Sequence, residues 1–263
     1  MMPNKDLSVI IVNYKSEQLL PKCIASVYAN LPQSLGVEII VVNNDVIDGS
    51  LLLKNFGAVK LIDHKKNVGF GAAANMGARA ARGRQLLFLN PDSELCSDNV
   101  GEILGFFEKN KKLAAVGSRV ISESGVVQEW IGGREASLYD LARNNLNFPR
   151  NKAIWESTEP LLVDWVSGTA LFVRSDFFQA VEGFDENFFM YFEDMDLCKR
   201  LRRQNKEIFY CPNFCVKHWG GKSYPDKAGQ KKDYYRSQEY YFKKHRNLVE
   251  FGIVKSLRKI FFS

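Results

Sequence analysis

The sequence predicts an α/β fold in which helices flank a mostly parallel sheet. Short apolar runs rich in Val and Ile recur along the first half of the chain, and each one ends in polar residues. Such runs are typical of strands that are buried on both faces. Segments with helical periodicity stand between them. Alternation of strand and helix at this spacing is typical of a parallel sheet of the nucleotide-binding type.

The predicted elements lie in two ordered stretches separated by an irregular one. The predicted strands are Ser8–Val12, Val37–Val42, Val59–Ile62, Gln85–Leu89 and Leu113–Val116, and the predicted helices are Glu17–Ala29, Phe70–Ala81 and Asn99–Lys109. From about Ile121 to Pro160, glycines and prolines interrupt the periodicity, so we expect an irregular excursion near the site. Order resumes at Leu161–Val173, and a short strand follows at Ile208–Cys211.

Length and composition fit one large domain with an appendage. The chain has 263 residues, of which 46% are hydrophobic and 25% charged, so it can build a sizeable core. We predict a domain at 1–223, with halves at 1–120 and 121–223, and a helical extension at 224–263. The five cysteines form no regular framework, and Cys211 and Cys215 lack a second zinc-binding pair. With no run near the ~20 apolar residues of a spanning helix, we expect a soluble or peripheral protein in a reducing compartment.

The positive charge is concentrated at the C-terminal end. From Lys217 onward the chain has 12 Lys and Arg against 4 Asp and Glu, whereas the whole chain carries a net charge of +6. Tyr and Phe residues are interleaved with the basic ones between Tyr234 and Phe262. This composition suits an anionic membrane surface, a solvated helical surface or nucleic acid. We expect a helix that breaks near Gly252 and binds a membrane, with no nucleic-acid partner.

Polar clusters follow two of the predicted strands. Asn43-Asn44-Asp45 follows the second strand and Asn90-Pro91-Asp92 the fourth. Ligands of open α/β sheets bind beyond the carboxyl ends of the strands. A carboxylate there can bind a hard divalent cation, which in turn holds a diphosphate. The alternative is that Pro-Asp only begins a turn.

A glycine-rich segment and two further motifs add candidate ligand contacts. Asn67–Asn75 carries Gly69 and Gly71 before a small-residue helix, which allows a close backbone approach to a ligand, although a Gly turn before a helix is common. It has neither the dinucleotide nor the P-loop spacing, which excludes both classes. Trp165–Ala170 fits the floor of a sugar pocket or a buried turn. His218 stands beside glycines and lysines as a candidate metal ligand or phosphate contact, whereas His64 and His245 are predicted at the surface.

Three carboxylates in four residues, Glu193, Asp194 and Asp196, follow an aromatic segment and should open a helix. At helical spacing Asp194 shares the apolar face with Cys198 and Leu201, and Asp196 shares the solvated face with Arg200 and Arg203. We therefore predict an inward Asp194 and a surface Asp196 paired with arginines. An inward carboxylate at a helix N-terminus suits a general base, and the alternative is that Asp194 only caps the helix.

Taken in order, these motifs resemble the family 2 glycosyltransferases, which have a GT-A fold. Within that family they resemble a bacterial rhamnosyltransferase-like branch that acts on cell-surface polysaccharide precursors. The resemblance covers about Leu7 to Ser223, and its most specific parts are Asn67–Asn75, Leu89–Asp92 and Val163–Leu201. It implies that residues 1–120 bind the nucleotide and that 121–223 bind the acceptor.

The resemblance also implies roles for individual residues. Asp92 matches the last position of the DxD metal motif, whose first position is Asn90 here, and would hold Mg²⁺ or Mn²⁺ with His218. Asp194 matches the catalytic base. Most relatives carry Asp-Asn where this chain has Asn43-Asn44. The nucleotide-sugar, dTDP- or UDP-linked, is expected at Asn13, Asn43, Asn44, Asn67, Gly69, Asn75 and Asn90, and the sugar or acceptor pocket at Trp165, Gly168, Thr169 and Glu193.

The implied reaction is an inverting transfer of a sugar, L-rhamnose by analogy with the branch, to a hydroxyl of a glycan or lipid-linked glycan. It would serve cell-surface polysaccharide or lipopolysaccharide biosynthesis at the cytoplasmic face of the cell membrane. The departures at Asn43 and Asn90 also fit a catalytically silent nucleotide-sugar-binding protein. A nucleotidyltransferase would need a glycine-rich basic loop where this chain has Asn13–Ser16, and a processive synthase would need spanning helices.

Overall fold

The computed structural model of the protein describes residues 5–32, 34–96, 98–135, 137–138, 151–220 and 227–262, with side chains as far as residue 256. The strands are β1 (Lys5–Asn13), β2 (Val37–Asn43), β3 (Lys60–Asp63), β4 (Gly83–Leu89), β5 (Ser93–Leu95), β6 (Leu113–Ile121), β7 (Gly132–Gly133), β8 (Leu161–Val163), β9 (Trp165–Val166), β10 (Ala170–Arg174) and β11 (Glu207–His218). The helices are α1 (Leu20–Asn30), α2 (Gly49–Leu52), α3 (Phe70–Ala80), α4 (Val100–Lys109), α5 (Lys152–Trp155), α6 (Ser175–Ala180), α7 (Glu193–Arg203), α8 (Lys227–His245) and α9 (Leu248–Phe262).

Four parallel strands form the N-terminal half of the main sheet, in the order β3-β2-β1-β4. The apolar residues of β1, β2 and β4 are mostly buried on both faces, those of the edge strand β3 are partly buried, and the predicted α/β fold with flanking helices is confirmed. The register pairs Asn13 with Asn43 and Asn43 with Asp63. Because the carboxyl ends of parallel strands meet at one edge, the predicted polar clusters are brought together there.

The other half of the sheet is mixed rather than a continuation of the parallel series. Strand β10 is antiparallel to both β4 and β6, so it separates them. Strand β6 is parallel to β11, which is much longer than the predicted strand Ile208–Cys211. A register shift between Cys211 and Cys215 bends β11, so that its first half pairs with β8 and its end with β5. His218 thereby pairs with Ser93, the residue that follows Asp92.

The predicted irregular excursion after residue 121 contains only short elements in its described parts. Strand β7 pairs with β9 as a separate two-stranded sheet, in which Gly133 lies opposite Trp165. Helix α5 follows, and its Trp155 donates to the Gly132 carbonyl at 2.6 Å. This small layer forms one wall above the carboxyl edge of the main sheet.

The C-terminal extension forms two helices, and the prediction of a break near Gly252 is wrong. Helix α8 ends at His245, and Gly252 lies within α9. The break occurs at Asn247 because this residue caps α9: its side-chain oxygen accepts from the Glu250 N–H at 2.9 Å. A glycine inside a helix costs only about 1 kcal/mol relative to Ala, which does not interrupt it.

Helix α8 packs against the domain instead of presenting its aromatic residues to solvent. Tyr241 and Phe242 are fully buried, and Ser237 and His245 are nearly so. The prediction that the aromatic residues face a membrane is therefore wrong for Tyr241 and Phe242, which belong to the core, whereas Tyr234 is 37% exposed. Within the described ranges, no helix has the length and apolar character needed to cross a bilayer.

The contact between α3 and the parallel strands gives a test of the packing. A Cβ at Gly77 in α3 would lie 2.5 Å from the Ile10 side chain, whereas one at Gly105 in α4 would meet nothing within 4 Å. We expect Gly77→Ala to destabilise the protein by about 1–3 kcal/mol through overpacking. Gly105→Ala should stabilise it by up to about 1 kcal/mol through helix propensity. Urea unfolding measures both, and a Gly77→Ala protein as stable as the wild type would contradict the described packing.

Candidate active site

A cavity of about 510 Å³ opens beyond the carboxyl ends of the parallel strands. Ten of the residues predicted for the site line it: Asn44, Asn67, Asn90, Asp92, Trp165, Gly168, Thr169, Glu193, Asp194 and His218. Asp92 follows β4 and Asp194 lies at the start of α7, about a hundred residues later in the sequence. The two carboxylates nevertheless share one cleft, as the sequence argument required. Their chemical roles stay predictions.

Asp92 and His218 form a pair at one side of this cavity. The carboxylate Oδ1 of Asp92 lies 3.2 Å from Nε2 of His218, and Asp92 is only 4% exposed. The Trp219 N–H donates to the Asp92 carbonyl at 3.1 Å, which fixes the end of β11 against this loop. On the far side of the imidazole, Nδ1 lies 3.0 Å from Oε1 of Gln128. If the Nδ1 proton is donated to that oxygen, the Nε2 lone pair faces the Asp92 carboxylate, a contact that is repulsive unless a cation lies between the two atoms.

This pair has the chemistry of an incomplete cation site. In the described part of the chain, no group of three or more His, Cys, Asp or Glu side chains is arranged to hold a metal ion. Mg²⁺ in nucleotide-dependent enzymes commonly takes one or two carboxylates from the protein and further oxygens from phosphates and water. Asp92 and His218 therefore fit a cation whose remaining ligands come from a bound diphosphate.

Asp194 faces the cavity from the first turn of α7 and is half-buried. Its Oδ2 accepts from the Gly168 N–H at 2.9 Å, and its Oδ1 accepts from the Met195 N–H at 2.7 Å. Next to Gly168, the Thr169 carbonyl accepts from the Asn90 N–H at 2.9 Å. The turn before β10 therefore links the carboxylate of Asp194 to the loop that carries Asp92.

The neighbouring carboxyl groups Glu193 and Asp194 differ in their surroundings. Burial raises the pKa of Glu193 well above its ordinary value, and the adjacent Asp194 raises it further. Burial also raises the pKa of Asp194, but the N–H groups of Gly168 and Met195 oppose that shift. Glu193 Oε2 is buried without a hydrogen-bond partner in the described structure. Of the two carboxyl groups, Asp194 therefore has the better stabilised carboxylate, because backbone N–H groups bind it, whereas burial and its neighbour both favour the protonated form of Glu193.

The turn before α7 is strained. Tyr191 and Phe192 both have left-handed backbone conformations, with φ of 69° and 66°. Each such residue costs about 1–3 kcal/mol and persists only where surrounding contacts hold it. Here the holding contacts come partly from α3, since the Phe70 N–H donates to the Phe189 carbonyl at 2.9 Å.

Helix α8 supplies the other contacts that hold this turn. Ser237 Oγ donates to the Met190 carbonyl at 2.7 Å, and Gln230 Nε2 donates to the Tyr191 hydroxyl at 2.8 Å. The Phe192 ring packs against Tyr234 and Tyr241, with ring centroids 5.3 and 5.5 Å apart. The basic, aromatic extension is thus part of the site, because it positions the turn that carries Glu193 and Asp194.

Asp196 is buried, so its predicted surface position is wrong. Its exposure is 0%, and its carboxylate contacts Arg200 at 2.7 Å, Lys244 at 2.7 Å and His245 at 2.6 Å. The predicted partner Arg203 is exposed instead. His245 was expected at the surface and is also buried. Both errors have one cause: α8 covers the face of α7 that a single amphipathic helix would expose to water.

Four predicted ligand residues do not line the cavity: Asn13, Asn43, Gly69 and Asn75. Asn43 is fully buried, and its amide bonds to Asn13, Asp63 and Ile47. The Asn75 side chain is occupied by the backbone of Phe184 and by Glu186. Gly69 does allow a close approach, but of the Phe189 backbone: a Cβ there would lie 2.3 Å from the Phe189 carbonyl oxygen. All four therefore contact other parts of the protein outside the cavity lining, and their ligand contacts stay predictions.

Several other residues that line the cavity were not predicted from the sequence. Arg134, Trp130 and Asn151 come from the irregular excursion, and Gln230 and Tyr234 come from α8. Tyr14, just beyond β1, also contributes. Of these residues, only Tyr14 could have been predicted from the sequence, because it lies just beyond the end of a predicted strand. The others reach the cavity through long-range packing that no local pattern encodes.

The sequence was compared with known families and proteins. A sequence profile described as glycosyl transferase family 2 matches residues 8–177. The rhamnosyltransferase WbbL of Escherichia coli is 28% identical over 80% of this chain and 82% of its own length. The N-acetylglucosaminyl-diphospho-decaprenol L-rhamnosyltransferase of Mycobacterium tuberculosis is 27% identical over 81% of this chain and 75% of its own. A low-salt glycan biosynthesis hexosyltransferase of Haloferax volcanii, Agl10, is 27% identical, and the match spans 78% of this chain but only 64% of that protein.

Solved structures share the fold. A crystal structure of GalNAc-T7 with UDP, GalNAc and Mn²⁺ superposes with a TM-score of 0.63 at 18% identity, covering 81% of this chain and 44% of that one. Staphylococcus aureus TarS 1–349 gives a TM-score of 0.57 at 16% identity, covering 91% of this chain and 72% of that one. At these identities the likeness concerns the fold alone, and it confirms the predicted fold class.

The buried pair of His245 and Asp196 predicts how stability depends on pH. Burial lowers the pKa of His245 below its ordinary value of 6.5, and its Nδ1 is buried without a hydrogen-bond partner in the described structure. The unfolded chain therefore binds more protons than the folded one below about pH 6.5, and stability falls as the pH drops through that window. His245→Gln keeps a donor near Asp196 but does not titrate, so its free energy of unfolding should fall less between about pH 7 and about pH 5. Urea unfolding at both pH values measures this, and equal losses in the two proteins would contradict the assignment.

Proposed function

This chain belongs to glycosyl transferase family 2, and from that premise we propose that it is an inverting, metal-dependent enzyme. In this proposal it moves a sugar from a nucleoside-diphosphate donor to an acceptor hydroxyl. One observation carries the proposal: the pair Asp92–His218 and the half-buried Asp194 open into the same cavity. In the proposed reaction, the leaving group bound to the cation and the general base must both lie next to the same anomeric carbon. Side chains that open into one cavity can meet this requirement.

The donor diphosphate lies at the side of the cavity formed by Asp92 and His218. Mg²⁺ or Mn²⁺ bound there would neutralise charge that develops on the departing diphosphate. The nucleoside would lie beyond the ends of β1 and β2, where Tyr14, Asn44 and Asn67 line the cavity. Because Asn44 already bonds to Asn67 and Gly69, its amide serves to shape this part of the cavity.

Asp194 acts as the general base. Its carboxylate removes the proton from the acceptor hydroxyl as the acceptor oxygen bonds to the anomeric carbon. The bond from that carbon to the diphosphate oxygen breaks on the opposite face, so the configuration inverts. The raised pKa of Asp194 favours proton uptake, while two backbone N–H groups keep the group ionised beforehand. Burial raises the pKa of Glu193 beside it, which favours a protonated carboxyl group that could donate a hydrogen bond to the acceptor.

The names of the relatives support a sugar and an acceptor class. Two of the matched enzymes are described as rhamnosyltransferases, and one of them carries a diphospho-decaprenol acceptor in its name. By analogy, we propose that this chain transfers L-rhamnose from a dTDP- or UDP-linked donor to a glycan or lipid-linked glycan. The product would belong to cell-surface polysaccharide biosynthesis. Trp165, Gly168 and Thr169 line the cavity in position to contact the sugar or acceptor.

Replacing the proposed base tests the catalytic assignment. Asp194→Asn keeps the shape and one of the two hydrogen bonds from backbone N–H groups but removes the proton acceptor, so we expect turnover to fall by at least about 100-fold. Calorimetric binding of the donor with Mn²⁺ should be retained. Asp176→Asn, whose side chain is 67% exposed on α6, serves as the matched control and should leave both measurements unchanged.

A transfer assay with dTDP- and UDP-sugars distinguishes the outcomes. Undiminished turnover in Asp194→Asn would remove Asp194 as the base. A wild-type protein that binds the donor with Mn²⁺ but neither hydrolyses nor transfers the sugar would favour the silent nucleotide-sugar-binding protein. The departures of Asn43 and Asn90 from the family pattern, in which amides stand in place of carboxylates, favour that second candidate.

The proposed lipid-linked acceptor requires access to the cytoplasmic face of a membrane, and α9 offers a surface for it. Leu248, Val249 and Ile253 are 86%, 71% and 42% exposed, so this helix presents apolar side chains to solvent. Lys255 is exposed on the same helix, and Arg258 and Lys259 follow in the sequence. Exposed apolar side chains with neighbouring basic residues fit an amphipathic helix lying on an anionic bilayer.

The membrane role of α9 is tested by changing its exposed apolar residues. The double variant Val249→Glu and Ile253→Glu should bind vesicles of anionic phospholipid at least about tenfold more weakly than the wild type, because burial of these side chains is lost. Val126→Glu changes an equally apolar residue, 65% exposed on a distant loop, and should bind normally. Vesicle co-sedimentation measures all three proteins. Equal binding by the double variant would exclude α9 as the membrane contact.

A further inference from the structure

Two cysteines outside the active site face each other across a pair of strands. Cys96 follows β5 and Cys215 lies in β11, and the register that pairs Leu95 with Val216 sets the two cysteines directly opposite. The Cys96 N–H donates to the Cys215 carbonyl at 3.1 Å, and the two side chains are also in hydrogen-bond contact. Opposite residues in a hydrogen-bonded antiparallel pair have Cα atoms about 5.5 Å apart, a separation that a disulfide spans.

The two thiols differ from the other cysteines in accessibility. Cys96 is exposed and Cys215 is half-buried, whereas Cys23, Cys198 and Cys211 are buried. Burial raises the pKa of Cys198 and of Cys211 to about 12 and that of Cys215 to about 11, so these three thiols are poorer nucleophiles than an ordinary cysteine. Cys96 is therefore the thiol that meets a dissolved reagent first, and Cys215 is the thiol next to it.

We propose that Cys96 and Cys215 form a reversible disulfide when the protein meets a small disulfide oxidant such as oxidised glutathione. The Cys96 thiolate attacks one sulfur of the oxidant, whose S–S bond breaks and releases one thiol. The Cys215 sulfur then attacks the Cys96 sulfur of this mixed disulfide and releases the second thiol. Two cysteine thiols are oxidised, the oxidant is reduced to two thiols, and the two cysteine protons pass to the departing thiolates.

The bond would join the two strands that carry the proposed cation site. Strand β5 begins immediately after Asp92, and β11 ends at His218, three residues beyond Cys215. The cross-link would therefore hold the Asp92 loop and the end of β11 at a fixed separation. It would also close a long loop of the unfolded chain, which raises thermal stability in the oxidised form.

The test uses the full-length protein in its native state, treated with oxidised glutathione and then reduced with dithiothreitol. We expect the intact mass to fall by the mass of two hydrogen atoms, with a Cys96–Cys215 cross-linked peptide in the digest and a higher Tm. Dithiothreitol should reverse both changes. Cys215→Ser should instead accumulate the glutathione adduct on Cys96, and Cys96→Ser should remain unmodified.

Three results would overturn the proposal. One is a stable glutathione adduct on Cys96 in the wild type, another is a cross-link between any other pair of cysteines, and the third is no reaction at all. Because Cys96 is exposed, its replacement by serine leaves the packing unchanged, and its Tm without oxidant checks that the variant is folded. The outcome is independent of glycosyl transfer, because neither thiol lines the cavity.

Discussion

The central physical constraint is the fixation of the strained aromatic turn that precedes α7. Two consecutive non-glycine residues, Tyr191 and Phe192, hold left-handed conformations, and this geometry directs Glu193 and Asp194 into the cavity. The turn is held from both sides, by the start of α3 through the Phe189 carbonyl and by α8 through Ser237. Gly69 is required beneath it, because any side chain there would collide with the Phe189 backbone. The C-terminal extension is therefore needed to assemble the site.

Two parts of the protein form the site, and hydrogen bonds from a single short turn connect them. The carboxyl edge of the parallel strands and the end of β11 bring Asp92 and His218 together. The strained turn positions Asp194, and the Gly168–Thr169 segment bonds to both sides. The ion pair of Asp196 with Lys244, together with its contact with His245, anchors α7 on α8. Buried charges of this kind are costly unless every partner is present, so these contacts fix one arrangement of the two helices.

The features of the fold and the site that depend on a few neighbouring residues could be predicted from the sequence. Apolar runs predicted the strands, and polar residues at strand ends predicted the loop with Asp92, because both signals are encoded within a few residues. The resemblance to a family assigned the acidic block. Long-range packing is not encoded locally. Asp196 was predicted at the surface because it shares a helix face with Arg200 and Arg203, and no local pattern shows that α8 covers that face. Asn43 and Asn75 were predicted to contact the ligand, whereas in the structure their side-chain amides form hydrogen bonds within the protein. Arg134 and Tyr234 reach the cavity from segments with no motif.

The most direct test of the account is the position of the metal ion and the nucleotide. Crystals grown with Mn²⁺ and a nucleoside diphosphate can be measured at the manganese absorption edge. We predict an anomalous peak within bonding distance of Asp92 Oδ1 and His218 Nε2, with the diphosphate on the same ion and Asp194 facing its open side across the cavity. A manganese ion bound away from this pair, or a nucleotide outside the shared cleft, would contradict it.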